Sequence, residues 1–156
     1  MTEKNGTFAA GCFWGVEAKF LDLPGVIDTV VGYTGGMIEN PTYKMVCTNN
    51  TGHAEAVQVT YDDDQIDYET LVRKFFELHN PTTKNRQGLD IGSQYRSAIF
   101  FHNQEQGQIA ENVKEELNKS NKYRNSIVTE IVPAGDFYKA EEYHQRYYAK
   151  HSFRRH

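Results

Sequence analysis

An α+β domain of two layers is what this sequence predicts, and three observations lead there. Apolar residues alternate between strand and helix periods in the order β-α-β-β-α-β, followed by α-β-α. The first six elements match the split β-α-β arrangement, in which helices pack on one face of a sheet. The chain has 156 residues, which suits a single domain that buries about 70% of its unfolded surface. Residues 1–156 are therefore read as one domain.

The elements follow in order. Gly6–Ala10 reads as the first strand. Helix 13–22 comes next, with Phe13, Val16 and Phe20 on one face and Leu23-Pro24-Gly25 ending it. Residues 26–34 are β-branched and apolar (Val26, Ile27, Val30, Val31), as a buried strand should be, and Gly35-Gly36 breaks them. A long loop with Asn40-Pro41 follows. In Ala54–Tyr61, Val57, Val59 and Tyr61 alternate with Gln58 and Thr60, and the run Asp62-Asp63-Asp64 marks a turn. Tyr68, Leu71, Val72, Phe75, Phe76 and His79 carry the clearest helical spacing, which Pro81 stops. Thr82–Arg96 has no apolar period, and so long a loop is often functional. The remaining expectations are strand 97–101, helix 104–119 with Ile109, Val113 and Leu117, strand 127–132 and helix 141–150.

Composition excludes several classes. Charged residues are 24% and hydrophobic residues 38% of the chain, as in a folded domain rather than a disordered one. No apolar run approaches the roughly 20 residues of a membrane span, and Met1–Asn5 carries no signal-peptide core. A net charge of −4 argues against nucleic acid binding, and Lys150, Arg154 and Arg155 are too few to reverse that. The two cysteines, Cys12 and Cys47, form neither a disulfide framework nor a C-x-x-C motif. Two free thiols in a reducing cytoplasm is the expectation, and nothing in the sequence demands more than a monomer.

Two positions stand out for chemistry. Cys12 falls at a strand-to-helix junction, where unpaired N–H groups favour a thiolate and can lower a thiol pKa. The competing reading is a small buried hydrophobe. Glu55 shares a strand face with Val57, Val59 and Tyr61, so its carboxyl is aimed at an apolar layer. Desolvation would raise its pKa and make it a general acid; the alternative is a strand-end carboxylate that curls back to water. His53-Ala54-Glu55 matches the H-x-E opening of the zinc deaminases, but no cysteine follows Cys47 to complete the ligands, so no metal is expected. Tyr43 and Tyr95 lie in the two long loops, where a phenol is either a packing residue or a hydrogen-bond donor to a developing negative oxygen. Asp90 reads alone as a loop aspartate.

The motifs GCFWG, GYTGG, NPTY, TGHAEAV, PTT, RQG, QYRSAIF and PAGDFYKAEEYHQ occur together in this order. From about Phe8 to about Tyr148 the chain resembles the A-type peptide methionine sulfoxide reductases. That resemblance implies a ferredoxin-like two-layer fold. It also implies Cys12 as nucleophile, Glu55 as proton donor to the sulfoxide oxygen, Tyr43 and Tyr95 as hydrogen-bonding groups to that oxygen, and Asp90 as an orienting charge. Phe13 and Trp14 would form the pocket for the substrate's methyl group. The implied reaction reduces the S epimer of methionine sulfoxide, free or in proteins, and leaves Cys12 as a sulfenic acid.

The chain departs from the family in one respect. Members commonly carry recycling cysteines near the C-terminus, and Ser152–His156 contains none. Either Cys47 resolves the sulfenic acid or an external thiol does so directly, with thioredoxin, glutaredoxin or glutathione as reductant. No bound cofactor is expected. Two rival functions fit Cys12 less well: a cysteine hydrolase or acyl transferase, which pairs the thiol with histidine, and a non-catalytic binder of apolar peptide.

Overall fold

The computed structural model describes residues 2–151. Its strands are β1 (Glu3–Ala10), β2 (Val26–Thr34), β3 (Ala54–Asp62), β4 (Arg86–Gln87), β5 (Asp90–Ile91), β6 (Ser97–Phe101), β7 (Glu130–Pro133) and β8 (Phe137–Lys139). The helices are α1 (Phe13–Leu21), α2 (Tyr43–Cys47), α3 (Tyr68–Glu77), α4 (Gln104–Lys119) and α5 (Tyr147–His151), with 3-10 turns at Ser93–Tyr95 and Glu142–His144. Six strands form a mixed sheet in the order β7-β6-β1-β3-β2-β8, and β4 pairs with β5 in a separate small hairpin. Inside the sheet β1 runs antiparallel to β3 and to β6, β2 runs antiparallel to β3 and to β8, and only β6–β7 is parallel. The fold is α+β.

The two faces of the sheet are packed differently. Phe8, Val31, Tyr33, Val57, Val59, Tyr61 and Ile99 meet Phe13, Val16 and Phe20 of α1, Leu71, Val72, Phe75 and Phe76 of α3, and Ala110 and Val113 of α4. Each such aliphatic or aromatic side chain contributes about 1.5–3 kcal/mol when fully buried. The opposite face holds Ala9, Ala54, Ala56, Ala98 and Phe100 under Val132 and Phe137. Period two along β3 thus sends Ala54 and Ala56 one way, and Glu55 the other, into the large core.

Several elements differ from the expectation. The long loop after Gly36 contains α2, whose five residues are too few to show a period; Thr42 caps it by accepting the Met45 N–H at 3.2 Å. The segment 82–96 contains the β4–β5 hairpin and a 3-10 turn. The strand expected at 127–132 is shifted to Glu130–Pro133, and β8 was not foreseen. The helix expected over 141–150 is broken. A 3-10 turn ends at His144, Arg146 takes φ +52, and only then does α5 begin.

Side-chain bonds explain that break. Gln145 places its amide between strands, accepting from the Val31 N–H and donating to the Val31 and Ala140 carbonyls, each at 2.9 Å. Buried Glu17 accepts the Thr29 hydroxyl and the Arg146 N–H, both at 2.7 Å. These satisfied buried groups draw 140–147 off a helical path and lay it beside α1 and β2.

Candidate active site

Cys12 is the N-cap residue of α1, half-buried, with its carbonyl accepting the Val16 N–H. Gly11 before it takes φ +98, and a Cβ there would lie 2.9 Å from Gln87 Cγ. Only glycine lets the hairpin come so close to the thiol. Gln87 is itself tied to the Asn80 N–H and carbonyl at 2.9 and 2.8 Å, and its strand partner across the hairpin is Asp90.

The thiol is not the low-pKa group that the helix start suggested. Burial pushes it up to about 11; the Trp14 and Gly15 N–H groups pull it part of the way down, and negative charge on Glu55 and Asp90 opposes ionisation. No hydrogen bond from the cysteine side chain caps the helix. Desolvation therefore outweighs the helix terminus here.

Glu55 is 1% exposed. Its Oε1 accepts the Phe13 N–H at 3.3 Å, so the carboxyl adjoins the residue that follows Cys12. Oε2 is buried without a hydrogen-bond partner among the described residues. Burial raises the carboxyl from 4.5 to about 8, the Phe13 N–H lowering it and Asp90 raising it. Strand alternation does aim this carboxyl into the core, and its burial favours the protonated form at neutral pH.

The two loop tyrosines and Asp90 converge on this pair. Tyr95 lies within reach of charge on Glu55, Cys47, Asp90 and Cys12, and burial followed by those charges raises its phenol to about 12. Tyr43 is raised too, by burial first and then by a hydrogen bond with Cys47 and the nearby Glu55. Both phenols keep their protons at neutral pH and can donate. Asp90 is exposed, and its charge is felt at Cys12, Glu55 and Tyr95. Cys47 is exposed at the end of α2.

Phe13 and Trp14 follow the thiol into α1. Phe13 is buried against Tyr33 and His144, with ring centroids 5.8 and 5.1 Å apart. Trp14 is half-buried and stacks face to face on Tyr147, at 3.8 Å and 7°. Two neighbours were not foreseen. Glu141 accepts the Tyr33 hydroxyl at 2.8 Å and the Tyr43 N–H at 2.9 Å, which pins the start of α2. His144 accepts the Trp14 indole N–H at 2.9 Å. Both lie in the PAGDFYKAEEYHQ stretch, where an expected helix hid their convergence on the site.

His53 of the H-x-E match has a structural part. It accepts the Gly36 N–H at 3.0 Å and its other nitrogen bonds the Ile38 carbonyl at 2.6 Å. Among the described residues no three histidine, cysteine or carboxylate side chains gather as a metal set. Ser152–His156, including Arg154 and Arg155 of the basic end, lie outside the described residues.

Comparison with known proteins points one way. A family model described as peptide methionine sulfoxide reductase matches residues 4–156. The chain is 58% identical to a peptide methionine sulfoxide reductase MsrA of Methanoculleus marisnigri, over 94% of this chain and 90% of that one. It is 56% identical to peptide methionine sulfoxide reductase A2 of Arabidopsis thaliana, over 92% and 65% of the two chains. Its fold is similar to reduced Mxr1 of Saccharomyces cerevisiae, with TM-score 0.90, 39% identity and 96% and 86% of the chains covered. It is also similar to Mxr1 in complex with Trx2, with TM-score 0.67, 31% identity and 93% and 84% covered.

Proposed function

The chain belongs to the peptide methionine sulfoxide reductase family, and from that premise we propose how its residues carry out the reaction. The enzyme is an oxidoreductase that reduces methionine sulfoxide through a cysteine thiol. Cys12 is the nucleophile and Glu55 the acid. The substrate is the S epimer, free or within proteins. The observation that carries these assignments is the dry, half-unpartnered Glu55 carboxyl bound to the N–H next to Cys12.

A sulfoxide sulfur is a poor electrophile until its oxygen is protonated or strongly hydrogen-bonded. Glu55 gives its proton to that oxygen while Tyr43 and Tyr95 donate hydrogen bonds to it. The Cys12 sulfur bonds to the substrate sulfur as the S–O bond breaks and the oxygen leaves as hydroxide. The hydroxide then attacks the Cys12 sulfur, the S–S bond breaks with its electron pair returning to the methionine sulfur, and methionine departs from a Cys12 sulfenic acid. The thiol's proton replaces the one that Glu55 gave up. With Glu55 raised to about 8 and Cys12 to about 11, both protons are in place at neutral pH. Negative charge on Glu55 makes Cys12 harder still to ionise. Phe13 and Trp14 receive the methyl group.

An external thiol, of the thioredoxin, glutaredoxin or glutathione kind, condenses with the sulfenic acid to a mixed disulfide and water, and a second thiol opens that disulfide to return the Cys12 thiol; the likeness to Mxr1 bound to Trx2 supports thioredoxin. Cys47 offers a second route, because it is exposed and lies close to Tyr43 at the site. On that route Cys12 and Cys47 form a disulfide that the external dithiol opens.

The strand order β6-β1-β3-β2 with α1 and α3 supports reading the core as split β-α-β, ferredoxin-like, with C-terminal additions in one domain over 1–156. Two free cysteines support a cytoplasmic setting. We read the active form as a monomer.

The test is incubation with dithiothreitol and each epimer of a blocked methionine sulfoxide. Methionine should form from the S epimer alone and not at all with Cys12→Ser. No product from either epimer overturns the proposal.

A further inference from the structure

His144 is completely buried, yet none of the chemistry above uses it. Its Nδ1 accepts the Trp14 Nε1–H at 2.9 Å. An indole nitrogen can only donate, so Nδ1 carries no proton and the neutral ring holds its proton on Nε2. That Nε2–H is buried without a hydrogen-bond partner among the described residues. Aromatic rings surround it: Phe13, Tyr43 and Tyr143 lie with centroids 5.1, 4.4 and 4.1 Å from the imidazole. An unpaired buried donor costs about 1–3 kcal/mol.

Packing does not require such a group. A phenylalanine would fill the same aromatic cage with no unpaired donor. What imidazole adds is an acceptor at one point, and the group using it is the indole that adjoins Cys12. Tyr147 covers one face of that indole at 3.8 Å. The indole is thus fixed at its N–H edge by His144 and on one face by Tyr147, with its remaining surface partly open.

We propose that His144 is a positioning residue that orients the Trp14 indole as the seat for the substrate's methyl group. This rests on the reductase reading and adds to it the residue that sets substrate affinity through Trp14. Removing the acceptor frees the indole to rotate about its side-chain bonds, and the seat is lost for ground state and transition state alike. KM therefore rises while kcat holds.

Trp14 is the only tryptophan of the chain, so the site has its own reporter. In the unaltered protein, nitrogen NMR should show His144 with bare Nδ1 and protonated Nε2, and a slowly exchanging indole N–H. In His144→Phe the emission maximum of Trp14 should shift and KM for methionine sulfoxide should rise at least fivefold, with kcat within twofold. His144→Asn, whose amide oxygen replaces the acceptor, should restore both. A protonated Nδ1, or a folded His144→Phe with unchanged KM, overturns the proposal. If His144→Phe does not fold, His144→Ala with added imidazole takes its place, and failure of imidazole to lower KM is equally decisive. Turnover of the unaltered protein is measured first. Its absence would end the reductase reading, while the NMR and emission data would still judge the Trp14–His144 bond.

Discussion

Replacing Glu55 by glutamine should make the protein more stable and far less active, and the stability gain should depend on pH in a defined way. The folded carboxyl titrates near 8 against an ordinary 4.5. A folded-state pKa above the unfolded one means that the folded chain holds the proton more tightly. The full benefit is present below 4.5 and is lost as pH rises through 8. Relative to a neutral glutamine, the native carboxyl should then cost about 0.8 kcal/mol at pH 5 and about 3 kcal/mol at pH 7. Glutamine keeps an oxygen for the Phe13 N–H and, like the protonated acid, leaves one polar atom unpaired, so the comparison isolates the charge. Urea unfolding of both proteins at half-unit steps from pH 4.5 to 8 measures it. The two should coincide at the acid end and diverge steadily, while kcat of the variant falls roughly 10²- to 10⁴-fold for a lost general acid. A stability difference that stays flat with pH would refute the dry-acid argument.

Other outcomes follow from the same geometry. The kcat/KM profile should be level from pH 5.5 to 7.5 and decline above about 8 as Glu55 ionises; a steep acid limb near neutral pH would mean that a thiolate, not the paired thiol and acid, is the competent form. Tyr43→Phe and Tyr95→Phe should each lower kcat about tenfold or more, as loss of an oxyanion donor does, with little change in KM; single-turnover methionine release measures this. Cys47 is exposed and lies beside Tyr43, and no hydrogen bond among the described residues joins it to Cys12. Cys47→Ser should therefore keep dithiothreitol- and thioredoxin-supported turnover within twofold, and a tenfold loss with thioredoxin alone would assign it the resolving step. Gly11→Ala should destabilise the fold by about 1–3 kcal/mol in denaturant melts, because φ +98 is strained for alanine and Gln87 blocks its Cβ.

Much of this protein is set by local pattern. Strand alternation in Ala54–Tyr61 placed Glu55 in the large core because side-chain direction in a strand has period two wherever the strand sits. Helical spacing in 68–79 and 104–119 located α3 and α4 for a similar reason, and the glycine-to-helix junction located Cys12. Tertiary structure decided what pattern cannot carry. The thiol's proton affinity is a contest between a local helix terminus and burial, and burial exists only once the sheet, hairpin and C-terminal segment close around Cys12. Likewise Gln145, Glu17 and Glu141 find their partners 98 to 129 residues away, and those long-range bonds break a segment that its own spacing would have made helical. They also bring His144 under Trp14, a juxtaposition with no period, spacing or motif to announce it.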